Sequence, residues 1–358
     1  MLPPLPPEIS VESIESKKVL KKLTTARAAL AELKGVAGTI PNEHILIDTL
    51  SLQEAKDSSA IENIVTTQDE LYQSDYDQQT FANPASKEVH HYAAALKTGF
   101  SEVKELGIIR IGLLNRVQAA IEHNDAGIRQ VPGTVLKNDL TGEVVYTPPQ
   151  DYNQILALLD NLEGFINDTI GYEVDPLVKM AIIHYQFESI HPYYDGNGRT
   201  GRILNLLYLI KEELLSIPVL YISRYIIRHR QQYYQLLQQV REANDWESWT
   251  LYMLDAVEQT AKHTIRTVKG IHTLMMVYKK RIRGEQPKLY SQDLINNLFR
   301  HPYTRVDWLQ KDLSVTRLTA TKYLDTLVEM QLLEKIKKGR RNYYLNQGLL
   351  DLLSGEGR

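Results

Sequence analysis

The sequence predicts the all-α fold class, with one short β-hairpin and a small separate module at the carboxyl end. Apolar residues recur at helical spacing over most of the first 270 residues. Short pieces rich in Val, Leu and Tyr surround turn residues between positions 131 and 149. After residue 287, three short helical patterns precede a strand, a basic turn and a second strand. This last pattern is typical of a winged helix.

The composition is that of an ordinary globular protein with two or three domains. Of 358 residues, 43% are hydrophobic, 24% are charged and none is cysteine. The lack of cysteine excludes disulfides, thiolate nucleophiles and zinc sites with cysteine ligands. The chain opens without a signal-peptide pattern, and its longest apolar run, 203–210, is too short to cross a bilayer. We therefore expect a cytoplasmic protein with no membrane partner.

The net charge of −3 is spread unevenly along the chain. Residues 278–346 contain fifteen Lys and Arg against seven Asp and Glu, a local charge of +8, so the remainder carries −11. Such asymmetry indicates that the two parts have different partners.

The first part of the chain predicts helices in front of the hairpin. The opening Pro-rich stretch, 1–7, predicts an extended arm on the protein surface or on a partner. Helix-forming residues with helical apolar spacing then cover 17–34, 45–72 (one or two helices), 88–106 and 109–123. The hairpin follows, with turn residues at Asn138, Asp139, Thr141 and Gly142. Because an isolated hairpin is marginally stable, it should rest on the helical body.

Helical patterns return after the hairpin. They cover 152–166, 177–187, 197–215, 231–241 and 246–283. Asp175 and Pro176 cap the second of these helices, and 203–210 is apolar nearly all round, which predicts a central position. Residues 284–287 read as a linker to the helices at 291–299, 305–313 and 318–333 and the strands within 334–345. The predicted domains are 1–105, 106–270 and 285–350.

The segment between two apolar helices, 191–202, carries the chemistry. Pro192 stops the first helix, and a Gly-containing loop leads into the second helix, whose free N–H groups and dipole favour an anion. Arg199 and Arg202 lie three apart on one helix face and could hold a polyphosphate. Asp195 could bind Mg²⁺, and His191, which we expect in an exposed loop, is the natural general base. Each residue alone is compatible with a structural role; together they suit attack of a hydroxyl on a nucleotide phosphate.

This segment resembles the signature of the Fic family, His-Pro-Phe-x-Asp-Gly-Asn-Gly-Arg-x-x-Arg. It differs at Tyr193, which keeps the aromatic ring and should fill the same core position. The helical body and hairpin also resemble a Fic fold over residues 1 to about 270, with the hairpin as its flap. The resemblance implies a homodimeric nucleotidyltransferase that moves AMP from ATP, with Mg²⁺, to a Ser, Thr or Tyr hydroxyl of a target protein or of itself. Related Fic enzymes transfer other phosphorylated groups or remove AMP, and these alternatives stay open.

The resemblance also implies roles for individual residues. His191, Asp195 and Arg199 would form the catalytic set, with Asp195 as the metal ligand. The ATP-binding residues would be Glu62, Val131, Pro132, Gly133, Thr134, His191, Gly196, Asn197, Gly198, Arg199, Thr200, Gly201, Arg202, Asn205 and Tyr233. The amides of 196–198 and the Asn197 side chain would cradle phosphate, while Arg199 and Arg202 would take the β- and γ-phosphates. Asn205 could line the nucleotide pocket, and Tyr233 and Tyr234 could border the adenine; the alternative is that these residues pack in the core. The flap would bind the target by strand addition.

A second motif lies upstream, where Ser58, Glu62 and Asn63 match the inhibitory Fic pattern Ser/Thr-x-x-x-Glu-Gly/Asn. A Glu62 carboxylate paired with Arg202 would occupy the arginine that the γ-phosphate needs. The sequence therefore predicts autoinhibition by Glu62.

The carboxy-terminal module has two interpretations. Residues 315–323 would open a recognition helix, with Thr319, Thr321 and Lys322 available to a groove, and the basic residues of 337–341 would form the wing. The module would contact either DNA or a protein. A DNA-binding regulator whose Fic body only senses a ligand is therefore the rival hypothesis from a different class.

Overall fold

The structure is a computed structural model that describes residues 2–74, 81–137, 141–338 and 341–354. Among these residues it is mostly helical, with a two-stranded and a three-stranded antiparallel sheet, which confirms the predicted all-α fold class. The predicted turn residues Asn138 and Asp139, and the wing residues Gly339 and Arg340, lie outside the described residues. No helix of the described part is long and apolar enough to cross a membrane.

The described part of the amino-terminal region contains five helices, and α3 is the central one. Its elements are α1 (Val11–Ile14), α2 (Lys17–Ala37), α3 (Glu43–Ile61), α4 (Gln68–Gln73) and α5 (Pro84–Leu106). Asn42 caps α3, and Asn83 and Thr67 form capping boxes on α5 and α4, each satisfying free N–H groups of the first turn. The segment 45–72 thus forms two helices. Because α3 is buried on almost every side, its packing fixes its position; it ends at Ile61, directly before Glu62.

The Pro-rich stretch lies against the helical body. Leu5 is buried, and its backbone N–H donates to Asn161 Oδ1 at 2.6 Å. Asn161 Nδ2 donates back to the Leu5 carbonyl at 2.9 Å, and Gln186 Nε2 donates to the Pro3 carbonyl.

The hairpin sits between α6 (Ile111–Glu122) and α7 (Tyr152–Ile166). Its strands are β1 (Leu136–Lys137) and β2 (Val144–Tyr146), paired antiparallel with Leu136 opposite Tyr146. The Tyr146 hydroxyl donates to the Ser189 carbonyl at 2.9 Å, and the Arg241 guanidinium lies 3.8 Å from the Tyr146 ring centre. These contacts confirm that the hairpin rests on the helical body.

The central helices are α8 (Pro176–Ile190), α9 (Asn197–Lys211), α10 (Ile222–Arg228) and α11 (Arg230–Ala243). Asp175 accepts from Leu177 N–H and Pro176 occupies the first turn of α8, as predicted. Residues 203–210 are buried throughout, so their predicted central position is confirmed. The sequence did not predict α10, whose seven residues are too few for a clear helical period.

A single helix, α12 (Trp246–Glu285), joins the core to the carboxy-terminal module. It packs along α2, and the Trp249 indole donates to the Ala181 carbonyl at 2.9 Å. The helix continues through Gly284, where the sequence predicted a linker. Buried Tyr278 and Ile282 explain the difference, because tertiary packing outweighs the roughly 1 kcal/mol that glycine costs within a helix.

The carboxy-terminal module contains the predicted helices and strand pair. Its elements are α13 (Gln292–Arg300), β3 (Tyr303–Thr304), α14 (Val306–Leu313), α15 (Arg317–Glu329), β4 (Glu334–Lys338), β5 (Arg341–Leu345) and α16 (Gln347–Ser354). Strands β3 and β4 flank β5 in an antiparallel sheet; β3 and α16 were not predicted. Arg300 Nε donates to Asp48 Oδ2 at 2.7 Å, which ties the module to α3.

Candidate functional site

The loop between α8 and α9 has a conformation that its own residues enforce. His191 ends α8 with a left-handed φ of 50°, and Gly196 has a φ of 75°. The Asn197 side chain bridges the loop, because its Oδ1 accepts from the Tyr193 N–H at 2.8 Å and its Nδ2 donates to the Tyr193 carbonyl at 2.9 Å. Both polar ends of Asn197 are therefore used in bracing the loop.

His191 is half-buried, so the expectation of an exposed loop residue was wrong. Its backbone N–H donates to the Phe187 carbonyl at 3.0 Å, which draws the residue back against the end of α8. Burial, and then the neighbouring Arg129 charge, lower the pKa of the His191 imidazole to about 4. The ring is consequently neutral near pH 7 and able to accept a proton.

Arg129, which the sequence did not single out, holds this histidine in place. Its side chain is fully buried; Nε donates to the His191 carbonyl at 2.8 Å, and Nη2 donates to the Pro149 and Ile190 carbonyls. The Arg129 N–H also donates to the Pro192 carbonyl at 2.9 Å. One arginine thus connects the loop between α8 and α9 to the base of the hairpin.

The amino end of α9, where the loop pattern predicted an anion site, has no side-chain cap among the described residues. Gly196 precedes the helix, and the N–H groups of its first turn have no intrahelical partner. The exposed Asp195 carboxylate stands beside it and accepts from the Gly196 N–H at 2.7 Å. Mg²⁺ usually binds through one or two protein carboxylates together with the phosphates of a nucleotide. The Asp195 carboxylate beside the free N–H groups of α9 therefore fits that ion.

Arg202 is buried and is bound by two residues of the upstream motif, Ser58 and Glu62. Its Nε donates to Ser58 Oγ at 2.7 Å, and its Nη2 donates to the Ser58 carbonyl at 3.1 Å and to Glu62 Oε1 at 2.7 Å. The other Glu62 oxygen lies 2.6 Å from Arg199 Nε. Glu62 therefore bridges the two arginines, which confirms that they share one face of α9.

Glu62 lies close to the first turn of α9. A Cβ added to Gly198, in the first turn of α9, would stand 2.7 Å from Glu62 Oε1. The next residue, Asn63, has a left-handed φ of 64°, and its Oδ1 accepts from Arg230 Nη1 at 3.0 Å. Asparagine or glycine suits this conformation, which gives a physical reason for the last position of the motif.

Comparison with known proteins identifies the family of the chain. Models of the Fic/DOC family amino-terminal region and of the Fic/DOC family itself match residues 20–101 and 112–209, together just over half of the sequence. The chain belongs to the Fic/DOC family. A third model, the carboxy-terminal domain of SoFic-like protein adenylyltransferases, matches residues 274–349.

Curated relatives of this Fic protein match over a limited segment. Protein adenylyltransferase Fic of Culex quinquefasciatus is 30% identical over 112 residues, which are 31% of this chain and 21% of that protein. Protein adenylyltransferase fic-1 of Caenorhabditis briggsae is 27% identical over 139 residues, 39% of this chain and 25% of that protein. The matches thus span about a fifth to a quarter of those relatives.

Solved structures confirm the Fic fold. A Fic family protein from Desulfovibrio desulfuricans G20 superposes with a TM-score of 0.58 at 19% identity, covering 92% of this chain and 96% of that one. Fic-1 of C. elegans gives a TM-score of 0.53 at 19% identity, covering 72% of this chain and 74% of that one.

Residues of the Fic motif also contact side chains that lie outside the motif. Tyr193 is buried, as predicted, and its hydroxyl donates to Asn115 Oδ1 at 2.8 Å. Arg199 contacts Glu88 and Glu122 in addition to Glu62. These acids lie 111 and 77 positions from Arg199, and no local pattern in the sequence marks them.

The remaining predicted site residues divide into exposed flap positions and buried helix positions. Val131, Pro132 and Gly133 are exposed and Thr134 is half-buried; Thr200, Gly201, Asn205 and Tyr233 are buried. Asn205 Nδ2 donates to His184 Nδ1 at 3.1 Å, which leaves His184 Nε2 to donate to the Tyr233 hydroxyl at 2.9 Å. Asn205 and Tyr233 therefore take the core placement that the sequence left open, while the adjacent Tyr234 is exposed.

Proposed function

We propose that the chain transfers AMP from ATP to a hydroxyl side chain of a protein, and that Glu62 restrains this reaction. The observation that carries the proposal is the bridge from Glu62 to Arg199 and Arg202 at the free amino end of α9. Two arginines on a helix amino terminus suit a polyphosphate. The names of the relatives, protein adenylyltransferase, support AMP as the transferred group.

The residues of the loop supply the proton transfer and the charge that such a reaction needs. The target oxygen attacks the α-phosphorus while its proton passes to the neutral His191 ring. The bond from the α-phosphorus to the bridging oxygen breaks, and pyrophosphate leaves. Arg199 and Arg202 neutralise the charge that develops on the departing phosphates. Asp195 would hold Mg²⁺, which supplies further positive charge there when it is bound.

Glu62 opposes productive binding of ATP in two ways. Its carboxylate occupies the Arg202 nitrogen intended for the γ-phosphate, and it adds negative charge where another negative group must sit. The γ-phosphate and the carboxylate therefore compete for the same donors. Relief of inhibition requires that Glu62 leave both arginines.

The flap supports the choice of a protein as the acceptor. Val131, Val135, Val144 and Val145 are exposed apolar residues on and beside the hairpin strands. A short sheet with an exposed edge can pair with an extended segment of another chain. We assign the target to this edge, with Ser, Thr or Tyr as the modified residue and this chain itself as one acceptor.

Labelled ATP tests the proposal. The wild type, Glu62→Gly and Glu62→Gly/His191→Ala are incubated with ATP labelled on the α-phosphate and Mg²⁺, and added AMP is located by mass spectrometry. The Glu62→Gly protein should label itself or a target strongly, the wild type weakly and the double variant not at all. Glu173→Gly, at an exposed loop position, serves as the matched control. Labelling by another nucleotide but not by ATP would replace AMP with a different transferred group.

DNA binding through the carboxy-terminal module is the second candidate function. Residues 278–346 carry +8, and Leu318 at the start of α15 is 84% exposed beside the exposed Arg317 and Lys322. A basic helix face with an uncovered apolar residue suits a DNA groove. Retention of genomic DNA fragments that weakens with salt and with Lys322→Ala would support this function, and no salt-sensitive retention would remove it.

A further inference from the structure

Three carboxylates from three helices surround the Arg199 guanidinium. Glu62 Oε2 lies 2.6 Å from Nε, Glu122 Oε1 lies 2.6 Å from Nη2, and Glu88 Oε2 lies 3.2 Å from Nη1. The Arg199 side chain is 4% exposed, and that of Glu122 is 13% exposed. Every guanidinium nitrogen of the buried Arg199 therefore lies close to its own carboxylate, with hydrogen bonds at Nη1 and Nη2 and an ion pair at Nε.

These carboxylates lie on different sides of the arginine. Glu62 also contacts Arg202 and stands over Gly198, so it is on the side from which phosphate approaches. Glu122 and Glu88 belong to α6 and α5 and take the two terminal nitrogens. If Glu62 departs, Nε becomes free while Nη1 and Nη2 keep their partners. The guanidinium then presents a fixed edge to the phosphate side.

The Glu122 carboxylate also fits against the loop itself. A Cβ added to Gly196 would stand 2.5 Å from Glu122 Oε1, so a side chain at 196 would displace this carboxylate. Gly196 and Gly198 thus make room for two different acids, Glu122 and Glu62. The glycine at 196 serves this close approach as well as the left-handed backbone.

The packing of its helix fixes the position of Glu122. It is the last residue of α6, a helix packed against α5 and α9, with Val117 and Ile121 in the core. One turn earlier, Gln118 Nε2 donates to the Asp195 carbonyl at 3.2 Å and fastens α6 to the catalytic loop. Glu62 belongs to a different segment, since it follows the last residue of α3. Removal of inhibition can therefore move Glu62 and leave Glu122 in place.

We propose that Glu122 is a positioning residue, which, assisted by Glu88, fixes the Arg199 guanidinium so that its Nε edge is ready for the nucleotide phosphates. The inference rests on the proposed function in that it takes a nucleotide as the ligand. It assigns opposite effects to two acids on one arginine. Glu62 blocks the phosphate, whereas Glu122 orients the group that binds it. Loss of Glu122 allows Arg199 to turn towards Glu88 and lowers nucleotide affinity.

Calorimetric titration with a non-hydrolysable ATP analogue and Mg²⁺ tests this assignment. The starting protein is Glu62→Gly, in which the phosphate side is open. Adding Glu122→Ala should weaken binding about tenfold, as expected when a charged phosphate ligand is misoriented. Adding Glu122→Gln, which keeps the oxygen acceptor, should restore most of that affinity. Glu105→Ala, at an exposed position of α5, is the matched control, and circular dichroism melting verifies that each variant is folded.

A double-mutant cycle separates positioning from a general structural effect. In Glu62→Gly/Arg199→Ala, adding Glu122→Ala should leave nucleotide affinity unchanged within about twofold, because its partner is already gone. An equal loss with and without Arg199 would overturn the proposal, as would unchanged or tighter binding in the first comparison. Labelled-ATP transfer by Glu62→Gly is measured in parallel. A lack of transfer there would sink the proposed function, while the binding cycle would still decide the role of Glu122.

Discussion

The charge of Glu62, rather than its bulk, should account for most of the inhibition, and Glu62→Gln isolates that charge. Glutamine keeps the length and one oxygen acceptor of the side chain. It loses the two charge-assisted contacts, at 2.6 Å to Arg199 and at 2.7 Å to Arg202. We therefore expect Glu62→Gln to transfer AMP faster than the wild type and more slowly than Glu62→Gly.

The magnitude follows from the two contacts. The contact with Arg202 is a charge-assisted hydrogen bond and the contact with Arg199 is an ion pair. Loss of the negative charge weakens each by roughly 1 kcal/mol, about 2 kcal/mol in all. The Glu62 side chain is 25% exposed, and solvent screening therefore removes only a modest part of this difference. Since 1.36 kcal/mol corresponds to tenfold, Glu62→Gln should gain about 30-fold over the wild type. Glycine also removes the remaining hydrogen bonds and should gain about tenfold more.

Initial rates of transfer from labelled ATP, at ATP concentrations well below KM, measure these gains as ratios of kcat/KM. The same preparations are compared by thermal melting to verify equal folding. A Glu62→Gln protein as slow as the wild type would refute the reasoning, because the blocking effect would then depend on the shape of the side chain.

Three further predictions concern the frame of the site. Arg129→Met should lower the free energy of unfolding, measured in urea, by about 3 kcal/mol, because it leaves the carbonyls of residues 149, 190 and 191 without a donor. Arg116→Met, at a surface position, is the control. An equal loss of stability in both variants would contradict this role of Arg129. The pKa of His191, followed by the NMR shift of its ring and identified by loss of that signal in His191→Gln, should lie near 4. Because the folded protein disfavours the charged ring, the free energy of unfolding should decrease as pH falls from about 6.5 towards 4. A titration midpoint near 6.5 would contradict the burial of the ring. Asn63→Gly should be tolerated, while Asn63→Val should cost about 1–2 kcal/mol of stability in urea because a β-branched residue resists positive φ; equal stability of the two would argue against a strained turn.

Local patterns in the sequence predicted most of the helices and the position of the loop between α8 and α9. The helix predicted at 152–166 has those bounds in the structure, and Asp175 and Pro176 begin α8 as expected. Capping and apolar period are properties of neighbouring residues, so they can be read without tertiary information. The same is true of the loop, because its Pro and Gly residues lie close to one another in the sequence and mark the break between two helices.

Contacts between distant segments could not be predicted from such patterns. Glu122, Glu88 and Arg129 acquire their roles by packing against α9 and the loop, and each stands in an unremarkable local context. The buried placement of Tyr233 likewise depends on His184 in another helix. In α12, packing decided against a local signal, because Gly284 marks a linker in the sequence and remains helical in the fold.

The length of α12 has a mechanical consequence. Forty residues at 1.5 Å each make a rod of about 60 Å. Near one end, Trp249 braces the helix that terminates at His191; near the other, the Tyr278 hydroxyl donates to Asn346 Oδ1 inside the terminal module. Long helices curve only gently, so a tilt of about 5 degrees at one end carries the other end about 5 Å. A displacement of the terminal module is thereby transmitted to α8, the helix that leads to His191.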